Sequence, residues 1–399
     1  MLAAVIIGVL AVQRHNRGST ATDKSHGSDG GAHGARGGQT RLTTKPQPAP
    51  PPGVAAKLLA WRLPVPVSRA VVLAGPGTDL VVSGGLTPSG ASGNGAFLLS
   101  THTGAVHLVA GLVTAVHDAS GAILAGRDVI FGGAGTGVAG TGVAGTGAST
   151  TGAGTTGASP MVQIFRAPTG AAVPASAVPM ATASAALPQP RAGSRTVTIG
   201  ATCYVVGGSD GASAEREVLA TTDGTTFRAV AALAVPVEYP AVAAIDGYLF
   251  VFGGTTVAGR PAAGAPVRAA APVDDIQRVD PATGLATIVG HLPSALEGAS
   301  AATLDGHIYL AGGWTGLSLQ GTIWAYEPAA AKVVVAGHLR LPVSFSGLAV
   351  IGSTAWLVGG QSGGRPVASV QTFSPRPAQP GGPRTTTGAK LTPLAGGAA

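Results

Sequence analysis

The sequence predicts an all-β fold, a six-bladed β-propeller of four-stranded antiparallel blades, on three observations. First, a glycine pair closes a short apolar run six times, at Gly84-Gly85, Gly132-Gly133, Gly207-Gly208, Gly253-Gly254, Gly312-Gly313 and Gly359-Gly360. Second, successive pairs are 48, 75, 46, 59 and 47 residues apart, a period of one blade with two stretched intervals. One four-stranded sheet cannot bury both faces alone, so a repeat of that length stacks on its neighbours around an axis. Third, 63 Gly and 30 Pro among 399 residues argue against long helices, while 45% apolar residues supply a large core.

The strands follow in order within each unit. In the fifth, Ala299 to Leu304 and His307 to Ala311 are apolar segments joined by Asp305-Gly306, a dipeptide suited to the positive φ angles of a tight hairpin. The glycine pair then opens a loop, after which Thr322 to Glu327 and Lys332 to Leu339 read as the third and fourth strands. The fourth unit repeats this with Asp246-Gly247, Asp275 to Asp280, the turn Pro281 to Gly284 and Leu285 to Leu292. Near-continuous apolar inner strands fit sheets covered on both faces.

At the start of the propeller, Ala55 to Gly75 mirrors Ala330 to Gly352, so Lys57 to Leu63 reads as a fourth strand lacking the three before it. The expectation is that it pairs with Ser369 to Phe373 and closes the ring, burying Leu58, Leu59, Trp61 and Leu63. A competing closure would use Lys390 to Leu394.

These features resemble the Kelch repeat family: a glycine pair after the second strand, a hydrophobic third strand, a turn such as DPATG at Asp280 to Gly284, and a fourth strand ending in Leu-Pro. The resemblance spans about residues 54 to 375 and implies the propeller fold, while Kelch propellers serve many functions. One departure is that the tryptophan often found in the fourth strand is replaced by Phe227, Ala286 and Val333.

Domain organisation follows from composition. Residues 1–17 hold an apolar run, Leu2 to Val12, too short to span a bilayer and of the length of a signal-peptide core. It lacks preceding basic residues and carries Arg14, His15 and Arg17 on its distal side, which argues against export. Residues 18–53, rich in Gly, Ser, Thr and Pro, read as a disordered spacer, and that spacer turns the expectation to an extracytoplasmic domain, secreted or held at the membrane only through the N-terminal segment. Residues 54–375 form the propeller, with a low-complexity loop at 134–160 and a loop insertion at 255–273, and 376–399 read as a disordered tail.

The formal charge of +7 belongs to the tails, because Val54 to Pro375 holds 15 basic and 15 acidic residues. Without a basic, aromatic-studded stripe, nucleic-acid binding is not expected. Cys203 is the single cysteine, so no intrachain disulfide exists. The expected state is a monomer.

Loops after the second strand and loops crossing to the next blade open on one face, and both insertions lie there. The crossover loops place Arg69, His117, Asp118, Arg191, Glu238, Tyr239, Glu297 and Phe345 at near-equivalent offsets before the glycine pairs. Glu238 and Glu297, two of only five glutamates, share one offset in neighbouring units. Carboxylates and guanidinium groups there would hydrogen-bond a protein or glycan ligand, with Tyr239 and Phe345 as stacking faces.

Other motifs are declined. Gly135, Gly137 and Gly140 spell a dinucleotide fingerprint with no helix after it, and Gly360 to Gly364 spells a nucleophile elbow with no acidic residue or histidine to follow. His291 and His338 occupy the same place in successive fourth strands and offer no convergent metal set, so no metal or cofactor is expected. Cys203 and Tyr204 point oppositely along a strand, which disfavours the chemistry of the Kelch-like galactose oxidases. The expectation is a non-catalytic binding module. The alternative is a sugar epimerase like the sialic acid mutarotases, which look like six-bladed Kelch propellers and need only an acid and a base.

Overall fold

The computed structural model describes residues 51–135, 156–167, 178–256 and 270–377, and these form six four-stranded antiparallel sheets. Blade 1 comprises Val71–Ala74, Leu80–Ser83, Gly93–Leu99 and Val106–Val116. Blade 2 comprises Ser120–Leu124, Arg127–Phe131, Met161–Phe165 and Thr182–Ala186. Blade 3 follows with Arg195–Ile199, Thr202–Val206, Glu217–Thr221 and Arg228–Ala232, and blade 4 with Ala241–Ile245, Tyr248–Phe252, Asp275–Val279 and Ala286–His291. Blade 5 comprises Ser300–Leu304, His307–Ala311, Thr322–Glu327 and Lys332–His338. Blade 6 takes Gly347–Ile351, Thr354–Val358 and Val370–Pro375 from the C-terminal side and Val54–Leu58 from the N-terminal side. The leading segment 1–50, most of both insertions and the tail after 377, with the alternative closing strand, lie outside the described residues.

The core sits between blades. Six apolar clusters bridge the six blade interfaces, as where Phe250 and Phe252 of blade 4 pack on Trp324 and Tyr326 of blade 5. Each fully buried large side chain contributes about 1.5–3 kcal/mol, so stability accrues only when neighbours are stacked. In alternate blades a buried glutamine adds a polar lock. The side-chain amides of Gln163, Gln277 and Gln371 each bond both backbone groups of one residue near or just beyond the end of the preceding blade's fourth strand, Thr114, Val235 and Leu341 respectively, at 2.8–3.2 Å. The register-equivalent residues of blades 1, 3 and 5 are Phe97, Leu219 and Trp324.

The glycine pairs join each blade to the next. The second glycine donates its N–H to a crossover carbonyl of the following blade at 2.7–2.9 Å: Gly85 to Val116, Gly133 to Arg191, Gly208 to Val237, Gly254 to Leu296, Gly313 to Val343 and, across the closure, Gly360 to Val67. At Gly253, with φ of 57°, a side chain would be driven into the same Leu296 carbonyl oxygen. The conformation and the close approach both require glycine.

Ring closure uses the two segments anticipated, shifted along the chain. The strand is Val54–Leu58, pairing from Val54 opposite Pro375 to Leu58 opposite Gln371, after which Leu59 and Leu63 donate to Val370 and Ala368. It begins three residues before the expected Lys57. The expected burial is corrected too: Leu63 is buried, Leu59 and Trp61 are half-buried, and Leu58 is 37% exposed. An outermost strand buries one face only, and here Val54, 2% exposed, and Ala56 pack on the cluster between blades 5 and 6.

Candidate functional site

All six crossovers use one backbone device on the face where the glycine pairs lie. One residue bridges in antiparallel fashion to the residue following its own blade's glycine pair: Ser68 to Leu86, His117 to Ala134, Ala192 to Ser209, Glu238 to Thr255, Glu297 to Trp314 and Ser344 to Gln361. The next residue takes a positive φ: Arg69, Asp118, Gly193, Tyr239, Gly298 and Phe345. Each of these six donates its N–H to the carbonyl of its counterpart in the preceding blade at 2.7–3.1 Å, and Arg69 donates to Phe345, so the bonds form a closed circle around the axis.

The side chains of that circle converge. Arg69 Nη1 donates to Asp118 Oδ2 at 2.8 Å and to the Tyr239 hydroxyl at 3.0 Å, and the same hydroxyl donates to Asp118 Oδ2 at 3.2 Å. The guanidinium lies over Phe345, 4.2 Å from the ring centroid, and over Tyr239 at 5.1 Å, while the two rings meet edge to face. Blades 1 and 4 are opposite in the ring, so the Arg69–Tyr239 bond crosses the axis. Gly193 and Gly298 make room: a Cβ on them would stand 2.8 Å from the Tyr239 ring and 2.7 Å from the Phe345 ring. These contacts fill the channel mouth, with the side chains of Arg69 and Asp118 only 11% and 4% exposed.

Burial by itself would raise the Asp118 carboxyl, but Arg69, His117 and Arg195 outweigh it and hold it below its ordinary value. Burial and Asp118 together push the Tyr239 phenol up, which keeps it neutral and able to donate. Burial also works against charge on Arg69, yet Asp118 and Tyr239 more than compensate. The result is an Arg69–Asp118 ion pair joined by a neutral phenol and clamped between aromatic faces, with Arg69 Nε and Asp118 Oδ1 buried and without a hydrogen-bond partner.

The other residues anticipated for the rim are placed differently. His117 is 4% exposed, with Nδ1 2.8 Å from the Ser92 hydroxyl and Nε2 3.6 Å from Asp118, and burial lowers its pKa. Arg191 is wholly buried and turned into blade 3, where Nη1 donates to the carbonyls of Gly207 and Glu217. It stands one residue before the bridging Ala192, at the position that Val116, Val237, Leu296, Val343 and Val67 hold in the other crossovers, so it braces a blade rather than facing the mouth. Glu238 and Glu297 stay half-buried on the face. Burial, reinforced by Asp118 and Glu297, pushes Glu238 up to about 8. Burial raises Glu297 as well, opposed by the Thr255 hydroxyl, which donates to it, and by Arg69. Beside Glu297, the loop after the glycine pair of blade 5 presents half-buried Trp314 and Leu317, 92% exposed.

Two features went unseen in the sequence. Arg195, at the start of the innermost strand of blade 3, lies within electrostatic reach of Asp118, Tyr239 and Arg69. His291 Nδ1 lies 3.4 Å from Oδ1 of both Asp274 and Asp275, an exposed cluster that pairing His291 with His338 did not reveal. Cys203 is fully buried, and burial pushes its thiol up to about 12, leaving it unreactive.

Comparison with known proteins fits this repeat. The family model of the Kelch motif matches residues 296–332, from the crossover before blade 5 into its fourth strand. The chain is a six-bladed β-propeller that carries a Kelch motif in its fifth unit. Among solved structures, this chain is similar to one titled "Structure of YjhT", with a TM-score of 0.58 and 14% identity over 77% of this chain and 95% of that chain. At that identity the likeness concerns the fold alone. No curated protein sequence matches.

Proposed function

We propose that this propeller is a non-catalytic binding module that presents its glycine-pair face to a protein or glycan partner. The observation that carries the reading is the filled axis: Arg69, Asp118, Tyr239 and Phe345 bond and pack against one another, so among the described residues the face offers a shallow rim instead of a deep cleft. A shallow surface with half-buried Glu238 and Glu297 beside exposed Leu317 suits a broad partner bearing donor groups around an apolar contact. The apolar run at Leu2 to Val12 and the Gly/Ser/Pro spacer support a site outside the cytoplasm, at the end of a tether.

The test is affinity capture from the native envelope with the 54–375 domain and with the variants Glu238→Gln/Glu297→Gln and Leu317→Ser. A partner retained by the wild type and lost by both variants supports the reading. Capture that is indifferent to both removes the rim from consideration.

A second reading rests on Glu238, whose carboxyl titrates near 8 beside Glu297 and therefore suits proton exchange at neutral pH. It predicts a sugar mutarotase. Accelerated anomer exchange of acidic sugars by NMR, abolished in Glu238→Gln, would favour it over pure binding.

A further inference from the structure

The opposite face carries a second candidate. A cavity of about 240 Å³ opens there between blades 4 and 5, beside the Asp246-Gly247 hairpin and the turn at Pro328–Ala329. Its walls include Ile245, Tyr248, Phe250 and Val289, and its polar groups come from Asp246, Arg278 and Tyr326. Ligand cavities commonly run about 300–1,000 Å³, so this one suits a small molecule.

Two of its residues break the blade pattern at this one groove. Arg278 pairs with Phe250 in register, and the equivalent residues of the other blades are Leu98, Ile164, Ala220, Ala325 and Thr372. Tyr326 pairs with Ile308, where blade 3 places Thr221, whose hydroxyl accepts from the Gly224 N–H, and blades 1, 2, 4 and 6 place Leu99, Phe165, Val279 and Phe373. Those four pack without a hydroxyl. The ring of Tyr326 is similarly seated, 5.4 Å from Phe250 and 5.3 Å from Phe252, but its hydroxyl is buried with no hydrogen-bond partner. An orphaned buried hydroxyl weakens a fold, so packing does not account for it. Arg278 comes from the neighbouring blade, lies over the Tyr248 ring at 5.1 Å, and is near enough to Tyr326 to act on its charge.

We propose that this groove binds a small carboxylate with an apolar body, such as an apolar amino acid, free or at a peptide C-terminus. Arg278 and the Tyr326 hydroxyl take the carboxylate, and the apolar walls take the side chain. Asp246 at the rim offers a counter-charge to a free ammonium group. The site is on the face away from the crossover rim and does not depend on the function proposed above.

The experiment is isothermal titration of the full chain with L-leucine, N-acetyl-L-leucine and L-leucinamide, up to about 10 mM, which reaches dissociation constants in the millimolar range. Leucine binding with leucinamide silent supports a carboxylate site. N-acetyl-leucine binding as well as leucine assigns the source to a peptide end, and a preference for leucine assigns it to the free amino acid. Tyr326→Phe and Arg278→Gln should each weaken binding about tenfold or more, equal to about 1.4 kcal/mol. Tyr326→Phe keeps the packed ring, and its unfolding midpoint should equal or exceed the wild type's. No binding by either acid, equal binding of leucinamide, or full affinity in both variants overturns the proposal.

Discussion

Arg69 and Tyr239 stand 170 positions apart in the chain and meet across the propeller axis, Nη1 3.0 Å from the phenolic oxygen. Their contact ties opposite blades together and brings Asp118 with them.

Removing the cation should therefore be costly. Arg69→Ala strands a buried carboxylate and is expected to destabilise by about 3–5 kcal/mol, whereas Arg69→Met with Asp118→Asn should recover much of that loss. Urea denaturation in a double-mutant cycle measures the coupling. Because Asp118 is held below its ordinary value, its stabilisation is present above the unfolded carboxyl's pKa and lost as pH falls through the folded value. An additive cycle would mean that the triad is incidental.

Glu238 carries the opposite sign. Its folded value, about 8, exceeds the ordinary 4.5, so the folded state holds a proton that the unfolded chain releases. Wild-type stability should fall relative to Glu238→Gln as pH rises from about 4.5 to about 8, and level off above that. Melting temperatures of both proteins across this range check it, and parallel curves would contradict it.

Glycine substitutions separate backbone conformation from packing. Gly247→Ala, at φ of 82° with open space around it, should cost about 1–2 kcal/mol from conformation alone. Gly253→Ala bears the same penalty and also collides with the Leu296 carbonyl in the next blade, so it should cost distinctly more. Equal losses by chemical denaturation would show that the interblade clamp yields easily.

Closure can be tested at both ends. Val54→Asp places a charge in the cluster between blades 5 and 6 and should destabilise by several kcal/mol, on the order of the net stability of a domain. Truncation after Pro380 should leave the melting temperature unchanged, since Val370–Pro375 already pairs with Val54–Leu58. A drop in the truncated protein would indicate that the tail shares in closure.

The fold was legible because its signals are local and repeated. A glycine pair after an apolar run, an Asp-Gly hairpin and a fixed offset to the next crossover can all be read along the chain. The site was legible in part. The offset found Arg69, Asp118, Tyr239 and Phe345, but it could not tell that their side chains would meet one another, because that depends on which blades oppose across the axis. Arg191 shows a finer limit: it lies one residue before the bridging position and turns into its own blade. Gln163, Gln277 and Gln371 recur in alternate third strands, a signal twice as long as the repeat being counted. Arg278 and Tyr326 become conspicuous only when strand register lines up equivalent positions.

Val54 lies opposite Pro375 just where every other blade carries a connection between its third and fourth strands. The break in the chain is therefore one missing link in an otherwise uniform wheel. Linking those two residues and re-cutting the backbone in another blade, as at Pro281 to Gly284, would give a permuted protein with the same interfaces and a different starting point.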